Sequence, residues 1–233
     1  MIRRLVAAAA VCVCACSSLA RADIVDEFNG QNGLITAEGQ PPNGPWLVSS
    51  GSLFRDDGTG WTGRPDLSTG SEVFRMVSLE RDFGDVTMEV TLQVADLSST
   101  ERTPPQDYDG AHIWVRYQSE YELYAVSVDR RDGIMVIKKK CAGGPDNGGT
   151  YYDLNHEMPG FPIPFDSWQK VTVNVYDQPD GSVTITASRD GYTMAATDTG
   201  VGCAPLHGGG VGVRGDNAEL RFARIVVQPL ERM

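Results

Sequence analysis

The sequence predicts an all-β, single-domain antiparallel sandwich closed by one disulfide. Three features predict it. Apolar and polar residues alternate with period two in several runs, no long stretch has helical spacing, and 26 Gly with 13 Pro punctuate the 233 residues. At 41% hydrophobic the chain has enough apolar material to bury one sizeable core. Twenty Lys+Arg against 31 Asp+Glu give a formal charge of −11. Such a chain lacks the basic surface that nucleic-acid binding needs, so no nucleic-acid partner is expected.

The first segment, Met1 to Ala22, has the three parts of a secretory signal. Arg3 and Arg4 form a positive start, Leu5 to Ala15 is apolar but too short to span a membrane, and Ala20-Arg21-Ala22 is an A-x-A cleavage site before Asp23. Cleavage leaves residues 23–233 as one domain, 233 − 22 = 211 residues. Loss of Arg3, Arg4 and Arg21 takes the charge to −11 − 3 = −14. The mature chain is expected to be secreted, extracellular or periplasmic, with no membrane span. A lipobox-like Val13-Cys14-Ala15-Cys16 offers lipoprotein anchoring as the rival. Cys12, Cys14 and Cys16 leave with the signal. Cys141 and Cys203 remain, and in an oxidising compartment they most simply pair, the other reading being two buried thiols. The bond would close a loop of about 62 residues, roughly 4 kcal/mol in the chain-entropy model.

Strands follow in order. Val86 to Val94 alternates for nine residues, as a strand with one wet face does. Val171, Val173 and Val175 alternate with Thr172, Asn174 and Tyr176, and Val183 to Ala187 follows the Asp180-Gly181 turn. Val211 and Val213 alternate in a Gly-rich stretch, and Leu220 to Val227 is a last strand. Between Ala111 and Cys141 two hairpins are expected. If Gln118-Ser119-Glu120 is the first loop, Tyr117 faces Tyr121, Val115 faces Leu123 and Ile113 faces Ala125 on an apolar face. The other face then carries His112, Trp114, Arg116, Glu122 and Tyr124. A three-residue loop at Arg131-Asp132-Gly133 sets Lys138 opposite Val126 and Lys140 opposite Tyr124, on that same face. A two-residue Asp132-Gly133 turn puts Lys139 there instead. The stretch Ala142 to Asp166 is expected to be a long ordered flap.

The order of motifs resembles the concanavalin A-like lectin/glucanase superfamily, in particular its laminin-G-like and 3-keto-disaccharide-hydrolase-like jelly rolls. The resemblance is carried by Asp26-Glu27-Phe28-Asn29, Arg116-Tyr117-Gln118 with Tyr121 to Tyr124, Asp166-Ser167-Trp168, and Gly210 to Arg214, over about residues 24–229. It implies a jelly roll whose last strand, Leu220 to Val227, pairs with the first. The superfold hosts lectins, hydrolases, lyases and adhesion modules alike. The Glu-x-Asp-x-x-Glu cluster of the family's endoglucanases is absent, so glucanase chemistry is not implied.

Sugar recognition needs flat rings for C–H faces and fixed polar groups for hydroxyls. The expected ligand-binding set is therefore Trp114, Arg116, Glu122, Tyr124, Lys138 and Lys140, with Glu89 joining from a neighbouring strand. Cations on an acidic protein point to an acidic polysaccharide or oligosaccharide. The alternative is a polysaccharide lyase on the same face, with Arg116 neutralising a uronate and His112 and Tyr124 as acid/base pair. A hydrolase would have to use Glu89 and Glu122. A third reading is an adhesion or protein-interaction module. No transition-metal site is expected. The loop from Ser98 to Gly110, with Asp107-Tyr108-Asp109-Gly110, is expected either to rim the same site or to bind a structural calcium through carboxylates and carbonyls.

Overall fold

A computed structural model describes residues 24–64 and 73–230; the signal-like segment, residues 1–22, lies outside them. All described elements are strands: β1 Ile24–Asp26, β2 Gly33–Ala37, β3 Trp46–Ser50, β4 Ser52–Asp56, β5 Thr59–Trp61, β6 Val73–Ser78, β7 Val86–Leu97 and β8 Gly110–Ser119. There follow β9 Glu122–Arg130, β10 Val136–Asp146, β11 Gly149–Asp153, β12 Gln169–Asp177, β13 Val183–Arg189, β14 Tyr192–Asp198, β15 Gly210–Asp216 and β16 Ala218–Pro229. One sheet of nine runs β14-β13-β12-β7-β16-β5-β4-β2, with β1 also on β16; the other, of seven, runs β11-β10-β9-β8-β15-β6-β3. The last strand does pair with the first, Ile24 opposite Val227.

Period-two alternation makes the core. Val86, Met88, Val90, Leu92 and Val94 of β7 point inward with Val171, Val173 and Val175 of β12 and Val183 and Ile185 of β13. They meet Phe74, Met76, Ile113, Val115, Val126, Ile137, Val211 and Val213 of the seven-stranded sheet. Each such side chain contributes about 1.5–3 kcal/mol by leaving water. A second, smaller apolar cluster lies on the outer face of the seven-stranded sheet: Val77, Trp114, Leu123 and Ala125, with Leu47, Tyr117 and Tyr151 against it.

Cys141 and Cys203 form a disulfide, their Cα atoms 5.9 Å apart, 62 residues apart in sequence. It ties β10 to the loop after β14. The expected flap is partly regular, because β10 runs on to Asp146 and turns through Asn147 into β11.

Candidate functional site

The hairpin of β8 and β9 closes in a different register from the expected one. Ile113 pairs with Val126, Trp114 with Ala125 and Val115 with Tyr124, and Ser119 meets Glu122 across the turn residues Glu120 and Tyr121. The irregularity lies between Val115 and Ser119, where Arg116 takes φ 52°. A left-handed residue within a strand is a β-bulge, and it inverts the alternation beyond it. Arg116 therefore turns inward and Tyr117 outward, where its ring stacks on Trp114 at 5.5 Å and 18°. Gly209 permits this bulge: a Cβ there would stand 2.6 Å from the Arg116 carbonyl carbon.

The slip re-sorts the expected site. Tyr124 is wholly buried between the sheets. It donates to Asp198 Oδ2 at 2.6 Å and accepts from the Leu206 N–H at 2.9 Å. Burial and the bond to Asp198 push its pKa far above the ordinary tyrosine value. Arg116 is also inside, 3.3 Å from Asp85 and 3.1 Å from Asp177. The single face shared by Trp114, Arg116 and Tyr124 is thus not formed, and Glu122 opposes Ser119 rather than Arg116. Glu89 stands on the nine-stranded sheet, ion-paired to Lys170 at 3.1 Å. It alternates with the core residues Met88 and Val90, so it faces away from the core on the far side of the sandwich, and the Glu89–Glu122 pair is split between sheets.

A second slip restores part of the set. The β9–β10 turn is closed by the Gly133 N–H on the Arg130 carbonyl at 2.9 Å, leaving two central residues, Arg131 and Asp132, rather than three. Lys139 therefore lies opposite Tyr124, and Lys138 and Lys140 lie opposite Ala125 and Leu123. Lys139 is buried inside, 2.8 Å from Asp198 Oδ2. Because Tyr124 and Lys139 turned inward together, Lys138 and Lys140 share the outer face with Trp114 after all.

On that face lies a groove of about 440 Å³, lined by His112, Trp114, Lys138 and Lys140, by Tyr108 and Tyr151 from the expected loop and flap, and, unforeseen, by Arg130, Arg214 and Asp216. Strand pairing sets Arg75, Arg214, His112 and Ser127 in one row across β6, β15, β8 and β9. His112 is held by Nδ1 on Ser127 Oγ at 2.8 Å, and its Nε2 lies 3.4 Å from Asp216. Arg214 reaches Asp216 at 2.6 Å. Burial alone would raise the Asp216 carboxyl, but Arg214 and His112 outweigh it and hold it well below the usual carboxylate range. Burial, then Arg214 and Arg75, lower the pKa of Lys140. Its ammonium meets the Glu120 carbonyl at 2.9 Å and the rings of Tyr151 and Tyr121. Lys138 pairs with Asp153 at 3.2 Å on the rim. Trp114 is only 2% exposed, so its ring offers little face for stacking.

In the loop offered for calcium, hydrogen bonds converge on one oxygen of Asp109. The Asp109 carboxylate is already taken by the Gln106 N–H at 2.9 Å, Arg131 at 3.0 Å and Asn217 at 3.0 Å. No group of three or more His, Cys, Asp and Glu suited to a metal occurs among the described residues.

No family model and no curated protein matches the sequence. Solved structures do match in fold. An inactivated mutant β-agarase B in complex with agaro-octaose superposes at TM-score 0.57 and 10% identity, covering 89% of this chain and 92% of that one. A Bacillus subtilis protein with a galectin-like fold gives 0.57 and 13%, over 81% and 90%. The Ca2+/Man-bound exoplasmic/lumenal domain of VIP36 gives 0.53 and 13%, over 91% of each chain. At 10–13% identity the likeness is one of fold alone, an antiparallel two-sheet sandwich like those of these structures. No described helix is long and apolar enough to cross a membrane.

Proposed function

We propose that this chain is an exported carbohydrate-recognising sandwich that binds an acidic polysaccharide or oligosaccharide in the outer groove of its seven-stranded sheet. One observation carries the reading: a protein of net charge −11 gathers Arg130, Lys138, Lys140, Arg214 and His112, against Asp146 and Asp216, along one groove with Tyr108 and Tyr151. Clustered cations attract a polyanion, and the two tyrosines supply amphipathic surface for sugar rings. Export rests on the signal-like residues 1–22. Jelly-roll neighbours whose structures hold agaro-octaose or mannose lend fold-level support. Affinity electrophoresis of residues 23–233 in gels containing polygalacturonate, alginate or a neutral glucan tests it. Retardation by the acidic polymers is expected. Equal mobility in all gels removes the proposal and leaves the adhesion-module reading.

A second reading, a lyase, keeps His112 of the expected set and replaces Arg116 and Tyr124. Arg116 and Tyr124 are enclosed, but His112, Arg214 and the two tyrosines line one groove. In β-elimination a base takes the proton next to the uronate carboxyl, a double bond forms, and an acid protonates the leaving glycosidic oxygen. His112, oriented by Ser127, is placed for the first step and Tyr108 or Tyr151 for the second. Growing ultraviolet absorbance from unsaturated ends would establish it; binding without that signal leaves a pure binding module.

A further inference from the structure

The groove contains more hydrogen-bond donors than the protein itself satisfies. Buried side-chain nitrogens without an acceptor include Trp114 Nε1, Arg214 Nε and Arg130 Nη1, all from residues lining it. Trp114 and Arg130 are 2% and 6% exposed. Arg75 and Arg214 stand directly opposite each other on adjacent strands, and Glu120 at 3.7 Å from Arg75 and Asp216 at 2.6 Å from Arg214 offset their repulsion only in part of the row, leaving Arg214 Nε unpaired. Lys140 is 3% exposed, and among the described residues its ammonium meets a carbonyl and two rings but no carboxylate. Glu120 and Asp146 are near enough to favour its charge without touching it, and a buried cation with no carboxylate in direct contact is costly, as is a buried N–H without an acceptor, at about 1–3 kcal/mol. Every one of these groups donates, and Trp Nε1–H, Arg and Lys have no acceptor to offer. Their common complement is an acceptor-only group that bears negative charge.

Resting on the groove proposed above, we infer that its floor is an oxyanion subsite in which Trp114 Nε1–H, Arg214 and Lys140 together take the carboxylate of a uronate or the sulfate of an esterified sugar. Trp114 then acts by its N–H rather than by its ring. Tyr117 already stacks on that ring, and the Arg214 guanidinium carbon lies 6.0 Å from its centre. Lys138, half-buried on the rim and paired with Asp153, adds attraction but not selection.

Two substitutions test this in residues 23–233. Trp114→Phe keeps an aromatic ring and removes the N–H; Lys140→Met keeps the stem and removes the charge. Polygalacturonate is compared with its methyl ester, the same backbone without the charge, and a sulfated galactan with its desulfated form. The wild type should bind the charged member of each pair at least tenfold more tightly, and each variant should lose most of that ratio. Preference confined to one pair identifies carboxylate or sulfate as the source. Without ligand, Lys140→Met should melt at or above the wild-type temperature, because it removes a buried charge that no carboxylate touches. Inorganic sulfate should raise the melting temperature of the wild type more than that of either variant. Charge-blind glycan binding overturns the subsite while leaving the groove reading intact. Sulfate stabilisation that needs Trp114 and Lys140, with no glycan bound, upholds the subsite and removes the glycan. A Lys140→Met protein that melts well below the wild type while keeping its charged-to-neutral ratio assigns Lys140 to the scaffold and overturns its role.

Discussion

Replacing Tyr124 by Phe separates an inward from an outward tyrosine in one measurement. In the structure the hydroxyl donates to Asp198 Oδ2 at 2.6 Å and accepts from Leu206 N–H at 2.9 Å. Its loss removes a bond to a charged group, about 1.5–3 kcal/mol, and leaves a buried N–H without an acceptor, about 1–3 kcal/mol. Asp198 keeps Lys139 at 2.8 Å and the Gly200 N–H at 2.9 Å, so the carboxylate is not stranded. The expected cost is about 3 kcal/mol, a fall in urea midpoint on the order of 1 M. Acidic-glycan affinity should change less than twofold, since Tyr124 lies between the sheets and not in the groove. Urea unfolding followed by tryptophan fluorescence, with affinity electrophoresis of the same protein, reads both quantities. An unchanged midpoint together with lost retention would refute the inward placement and the bulge from which it follows.

Reducing the Cys141–Cys203 bond, which closes 62 residues, should cost about 4 kcal/mol; a urea midpoint unmoved by reductant would show that the bond constrains little. Gly209→Ala should destabilise the domain, because the new Cβ would meet Arg116 at 2.6 Å and φ is 143°; a fully stable variant would mean that the bulge is not held by this contact. The Asp216 pKa is depressed on folding, so its contribution is present above the unfolded carboxylate pKa of about 4 and is lost as pH falls below it. Asp129 acts in the opposite sense, burial raising its pKa against Arg189 and Gln169. Asp216→Asn should therefore be less stable at pH 7 and flatter than the wild type below pH about 4, as read by urea midpoints across pH; parallel profiles would contradict the assignment.

Those perturbations fall where local sequence was a poor guide. The strands of β7, β12 and β13 were legible because each buries one face, and a slip there would expose every Val. The disulfide was legible because only Cys141 and Cys203 remain beyond the signal-like segment. In β8 the apolar residues permitted two registers, since Leu123 and Ala125 are as apolar as Val126 and both faces hold buried residues. Nothing in Arg116-Tyr117-Gln118 marks a left-handed residue, because the permission comes from Gly209, far along the chain. Arg214 and Asp216 were within reach: once Val211 and Val213 are set inward, Gly212, Arg214 and Asp216 must face out beside Trp114 and His112. Tyr108 and Tyr151 join the groove through tertiary approach, which no periodicity records.

The two slips divide polar residues into two kinds that the sequence made alike. Those turned inward are largely provided for: Tyr124 and Lys139 share Asp198, and Arg116 has Asp85 and Asp177. Those turned outward are provided for less well, and of the nine buried side-chain atoms without a hydrogen-bond partner among the described residues, four belong to groove residues His112, Trp114, Arg130 and Arg214. A polar group that only braces a fold gains by finding a partner within it, whereas a binding residue must keep capacity in reserve for its ligand. Arg116 is as basic and as buried as the groove cations, yet its two carboxylates make it a brace. Lys140 has Glu120 and Asp146 nearby but no carboxylate at ion-pair distance among the described residues, and that difference in partners separates it from Arg116.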